Sequence, residues 1–151
     1  MRIVEFLKPE AVVAHLSGQT PEEVLKELCQ PFARMGLDSR QLLEILLQRE
    51  KLGSTAVGDS VAIPHGRYPG TEGLLASFGR SKPGIAFGAA DGKPTRFFVT
   101  LLVAEDCVGP HLQALARISQ VFKRPALREA LFDAKDSAEI YRLIAQADAG
   151  A

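Results

Sequence analysis

The scarce, chemically versatile side chains of this sequence are three histidines, His15, His65 and His111, and two cysteines, Cys29 and Cys107. A neutral imidazole can act as a nucleophile, carry a proton or ligate a metal near physiological pH. His15 lies among Val12, Val13 and Leu16, where a structural or surface role is the plain reading. His65 stands in Ile63-Pro64-His65-Gly66, directly after the strand-like Val61-Ala62-Ile63. Pro64 lacks an amide donor and favours an extended residue before it, so the strand is expected to stop there. Gly66 permits a tight turn and a close backbone approach. The imidazole is then presented at a strand end on a rigid stem, a placement suited to a nucleophile that meets another protein. Position alone fits a turn histidine without a function equally well.

Arg49 falls at the end of a helical stretch, where a cation is favourable near the carboxyl terminus with no site at all. His111 follows Gly109-Pro110 and belongs to the first turn of a helix. Such a terminus can receive an anion, or His111 can simply be a polar first-turn residue. Cys107 and His111 are four apart, but Val108-Gly109-Pro110 precede the helix start and no second close Cys/His pair completes a tetrahedral set. A metal is therefore not expected, and no cofactor is called for. There is no glycine loop ending in Gly-Lys-Ser/Thr, and Ser54-Thr55 lack the Gly-x-Ser-x-Gly elbow of hydrolases.

The elements that must hold these residues are marked by their termini. Thr20-Pro21-Glu22-Glu23 is a capping box with proline at the first helical position, followed by Val24, Leu25, Leu28 and Phe32 at helical spacing. Pro31 is expected to kink or end that helix. Asp38-Ser39-Arg40-Gln41 starts a second, with Leu42, Leu43, Leu46 and Leu47 as its buried face and Gly53 as its stop. Short β-rich runs follow, Val61–Ile63, Leu74–Phe78 and Phe97–Val103, separated by turns at Tyr68-Pro69-Gly70, Lys82-Pro83-Gly84 and Asp91-Gly92-Lys93-Pro94. The last run is apolar at nearly every residue, as in a central strand covered on both faces. Helices return with Leu112, Leu115, Ile118 and Phe122 on one side of the first, then Leu127, Leu131 and Phe132, then Ile140, Leu143 and Ile144 behind a cap at Asp136. The pattern predicts one α/β sandwich over residues 1–151, a central mixed sheet flanked by helices on both faces.

Composition narrows the function classes. Lys plus Arg and Asp plus Glu are 18 each, and neither half of the chain is strongly basic. Nucleic-acid binding draws on a concentrated basic face, which is missing here. The longest apolar stretch, Phe97 to Ala104, is too short to span a bilayer. Two isolated cysteines and an early acidic residue, Glu5, make a cytoplasmic location the simplest expectation.

The run from Arg49 through Leu52-Gly53-Ser54-Thr55 to Ile63-Pro64-His65-Gly66 resembles the phosphorylation segment of mannitol/fructose-type IIA domains of the phosphoenolpyruvate-dependent phosphotransferase system. It is most similar to the nitrogen-regulatory branch, and the resemblance continues through Gly84-Ile85-Ala86-Phe87, Asp91-Gly92-Lys93-Pro94 and His111-Leu112-Gln113-Ala114-Leu115-Ala116. It implies that His65 is the phosphoryl acceptor, with Arg49 beside the phosphoryl group and His111 as the second active-site histidine. Asp59, Ser54, Thr55 and Arg67 are supporting candidates; Asp59 matches a position that is acidic in mannitol-type members and often an amide in the nitrogen branch. Pro31 and Cys107-Val108 depart from the family's usual pattern. The implied donor is an HPr-type phosphocarrier, and the implied output is a regulatory target signalled by phosphorylation state. The alternative is a sugar-transport component that passes phosphate to a IIB domain. Oligomeric state is open.

Overall fold

The computed structural model describes residues 1–151. A 3-10 turn at Ile3–Glu5 leads into β1 (Leu7–Val13), α1 (Pro21–Arg34) and α2 (Ser39–Lys51). Then come β2 (Ala56–Gly58), β3 (Val61–Ala62), β4 (His65–Arg67), β5 (Leu74–Ile85) and β6 (Thr95–Val103), followed by α3 (Val108–Phe122), α4 (Pro125–Asp133) and α5 (Ser137–Ala149). The sheet is mixed, in the order β1-β5-β6-β3-β2, and β4 pairs the same edge of β6 as β3. β6 runs antiparallel to β5 and parallel to β3 and β4.

Alternation along β6 builds two cores. Phe97, Val99 and Leu101 join the inner residues of α3, α4 and α5, while Phe98 and Leu102 join those of α1 and α2. Helices thus cover both faces of the sheet. The predicted caps at Thr20, Asp38 and Asp136 are present: each side chain accepts an amide from its helix's first turn.

Several local expectations need correcting. Pro31 does not end α1, which continues to Arg34; the proline is buried in the final turns, where packing around Phe32 outweighs one missing amide bond. Strand β1 escapes a search for apolar alternation because Lys8, Pro9 and Glu10 are exposed on a sheet edge, where proline leaves no ladder bond unmade. Lys82-Pro83-Gly84 is not a turn between strands; β5 runs through it with a register shift between Arg80 and Ile85, and Gly84 takes the left-handed φ of 76°. Leu112 is 62% exposed instead of buried, since α3 packs through Ala114, Ile118, Val121 and Phe122. Phe132 is also partly exposed, with the Lys82 and Arg96 cations each 5.3 Å from its ring centre.

Candidate functional site

His65 does not sit in a turn. Pro64 interrupts the edge only briefly: its carbonyl accepts the Leu101 amide at 2.8 Å, and β4 then pairs His65 with Leu101, Gly66 with Leu102 and Arg67 with Val103. The register along β6 is the same before and after the interruption. Gly66 allows β4 to lie against α2, because a Cβ at this position would come within 2.5 Å of the Ile45 Cγ2. The close approach is real, and the neighbour is a helix.

His65, His111, Arg49 and Arg67 line one open depression with Ile45, Gln48 and Leu52. The imidazoles of His65 and His111 meet edge to face, their centres 5.3 Å apart and their planes inclined by 61°. His65 Nδ1 lies 2.8 Å from the Ile63 carbonyl oxygen. A carbonyl only accepts, so Nδ1 carries the proton and Nε2 keeps its lone pair. Burial lowers the His65 pKa; the Ile63 bond opposes this, the Arg49 cation lowers it further and the Glu50 carboxylate opposes. His111 is lowered as well, first by burial and then by the charges of His65 and Arg67. Its Nε2 is buried and makes no hydrogen bond. It occupies the fourth position of α3, a helix whose start has no side-chain cap.

Arg49, in the last turn of α2, donates from Nη1 to the Gly53 carbonyl at 2.8 Å. Arg67 donates to the Glu105 carbonyl at 2.8 Å. The other three candidates lie outside the depression. Ser54 Oγ donates to the Phe87 carbonyl at 2.5 Å and accepts the Ala56 amide at 3.1 Å. Thr55 is buried, with its amide 3.1 Å from Glu50 Oε2 and its hydroxyl on Glu50 Oε1. Asp59 belongs to the β2–β3 turn, with a left-handed φ of 55° and its amide on Asp91 Oδ2 at 3.3 Å. Its neighbour Ser60 meets the start of β6, whereas His65 pairs four residues beyond the Phe97 partner of Val61. Asp59 is therefore remote from the imidazoles, because β3 and β4 follow β6 away from it.

Ile45, Gln48 and Leu52 were not anticipated as part of the site. With Arg49 they recur at the three- and four-residue spacing of one helix face, so identifying Arg49 would have been enough to find them. Glu50, beside His65 electrostatically, had no such marker. No group of three or more His, Cys, Asp or Glu side chains is placed to hold a metal.

The family model described as "Phosphoenolpyruvate-dependent sugar phosphotransferase system, EIIA 2" matches residues 5–147. A nitrogen regulatory protein of Bradyrhizobium diazoefficiens is 38% identical over 146 residues, covering 96% of this chain and 95% of the relative. The fructose-specific EIIABC component of Bacillus subtilis is 31% identical over 98% of this chain, which spans 24% of that longer protein. Among solved structures, the nitrogen regulatory protein IIA-Ntr of Neisseria meningitidis superposes with a TM-score of 0.87 at 31% identity, covering 94% of this chain and 98% of its own. The IIA mannitol structure of Escherichia coli shares the fold, with a TM-score of 0.74 at 21% identity over 89% of this chain and 96% of its own. The chain belongs to the EIIA type 2 family of the phosphoenolpyruvate-dependent sugar phosphotransferase system, on the side of its nitrogen regulatory members.

Proposed function

We propose that His65 Nε2 accepts a phosphoryl group from an HPr-type phosphohistidine carrier, and that a regulatory target distinguishes the phosphorylated protein from the unmodified one. The observation that carries this reading is the His65 Nδ1–Ile63 carbonyl bond, which leaves Nε2 as the nucleophilic nitrogen of a depression shared with His111 and two arginines. The Nε2 lone pair forms the new N–P bond while the donor's N–P bond breaks and its electron pair returns to the donor imidazole. Phosphoryl transfer asks chiefly for in-line positioning and for donors around the equatorial oxygens. Arg49 and Arg67 are the cationic donors that line the depression, and His111 lies beside the reactive ring as a further contact for the transferred group. The depression is open enough for a second protein to reach phosphorus, and the cytoplasm is where the donor and the target would meet.

The nitrogen regulatory relatives favour regulation. The match to the fructose-specific component keeps onward transfer to a IIB domain as the second reading. Incubation with phosphoenolpyruvate, enzyme I and HPr, followed by peptide mapping under conditions that preserve phosphohistidine, should place the label on His65. Full labelling of a folded His65→Ala protein would overturn the acceptor assignment. A phosphoprotein that is stable when offered IIB domains supports regulation; rapid onward transfer supports transport.

A further inference from the structure

Glu50 is the residue of the site region that neither phosphate binding nor the core accounts for. Its two carboxylate oxygens are both engaged by Thr55: Oε2 accepts the amide at 3.1 Å, and Oε1 accepts the hydroxyl. Thr55 is 5% exposed, so its end of this contact is out of water, while Glu50 is half-buried. The Thr55 carbonyl in turn accepts the Ile63 amide at 3.0 Å, and the Ile63 carbonyl accepts His65 Nδ1–H at 2.8 Å. An unbroken series of contacts therefore joins the end of α2 to the reactive ring.

Ile63 depends on this support because Pro64, the next residue, has no amide with which to hold the chain. The Ile63 amide is the donor immediately before the interruption, and Thr55 is its acceptor. The loop that carries Thr55 is pinned twice by adjacent residues, at Gly53 by Arg49 and at Thr55 by Glu50.

We infer that Glu50 is a positioning residue for His65: through Thr55 and Ile63 it fixes the carbonyl that sets the tautomer and orientation of the reactive imidazole. The inference rests on the proposed role of His65 as acceptor. A carboxylate suits the task because it accepts two donors from one residue, whereas an amide side chain at the same place would turn a donor of its own toward one of them. Without the Glu50 carboxylate, Thr55 loses both of its side-chain contacts to α2 while Gly53 and Ser54 stay anchored to Arg49 and the Phe87 carbonyl, and the Ile63 carbonyl that Thr55 supports is held less firmly against Nδ1. Nε2 then carries the proton for part of the time and cannot attack.

The test uses the full unmodified chain with 15N-labelled histidine at about pH 7.5, above the ordinary imidazole pKa. Long-range 1H–15N spectra read the two nitrogens of His65 directly. For wild type they should show protonated Nδ1 and unprotonated Nε2. Glu50→Ala should move both resonances toward tautomer averaging and slow phosphoryl acceptance about tenfold or more. Thr55→Val, which removes only the hydroxyl donor, and Glu50→Gln should move them less, in the same direction, with melting temperatures near wild type. Unchanged His65 resonances in a folded Glu50→Ala protein would overturn the inference. If that protein does not fold, unchanged resonances in both Thr55→Val and Glu50→Gln overturn it instead. Failure of wild type to take phosphate on His65 would reject the acceptor reading, while the spectra would still report whether Glu50 sets the tautomer.

Discussion

A histidine that attacks phosphorus through Nε2 has to keep its proton on Nδ1, and the Ile63 carbonyl at 2.8 Å enforces that choice. Beside it, Arg49 makes a single bond, to the Gly53 carbonyl at a loop edge, which contributes about 1 kcal/mol or less to stability. Its planar fork has further donors available for phosphate oxygens. Arg49→Ala should therefore slow phosphoryl acceptance by roughly tenfold to a hundredfold, equivalent to about 1.5–3 kcal/mol for a charge-assisted contact, with the melting temperature nearly unchanged. Arg49→Lys should restore only part of the rate, since an ammonium is a point charge without the fork. A large loss of stability with normal transfer would assign Arg49 to the fold. At this scale His65, Arg49 and His111 were legible because a family motif marks them. Asp59, put forward by the same resemblance, lies outside the depression, because β3 and β4 follow β6 away from the β2–β3 turn, a direction that the sequence does not display.

Elements were legible where their ends carry side-chain chemistry. Thr20, Asp38 and Asp136 announce three helices because their oxygens satisfy first-turn amides, a local interaction that the sequence displays in full. Strands β1 and β4 were not legible, since both owe their pairing to the partner strand and both contain or follow a proline. Arg80 of β5 escaped notice for a related reason: a charge reads as surface, yet this one is fully buried. Its guanidinium donates to the carbonyls of Ala14 at 3.1 Å and Leu131 at 2.9 Å, and to that of Ala134, so it joins the end of β1 to the end of α4. Carbonyls at a helix carboxyl terminus are good acceptors for a cation. Arg80→Met would leave several buried carbonyls unpaired at about 1–3 kcal/mol each. Urea unfolding should show a loss of about 3 kcal/mol or more, and a loss below about 1 kcal/mol would mean that the cluster is satisfied without the arginine.

On the scale of the whole molecule, α2, β4 and α3 must come together before the depression exists, so the protonation of its histidines is tied to global folding. Burial is the first cause of the lowered pKa at both His65 and His111, and nearby positive charge adds to it in each case. In the unfolded chain each imidazole returns to about 6.5. As pH falls through that value the unfolded state takes up protons that the folded state still refuses, which makes unfolding more favourable. Stability from these two groups is thus complete above about pH 6.5, declines as pH drops toward the folded-state pKa values, and levels off below them. Carboxylates also titrate in acid, so the comparison has to be made against a protein that keeps them all. Urea unfolding at about pH 7.5 and about pH 5.5 should show a larger loss for wild type than for the His65→Gln/His111→Gln double variant. Equal losses would mean that the two rings ionise in the folded protein as easily as in water. In that case the unprotonated acceptor at physiological pH would owe nothing to the walls of the depression. The larger wild-type loss would instead show the fold holding both imbedded rings neutral, one as nucleophile and the other as its neighbour, before any phosphoryl donor arrives.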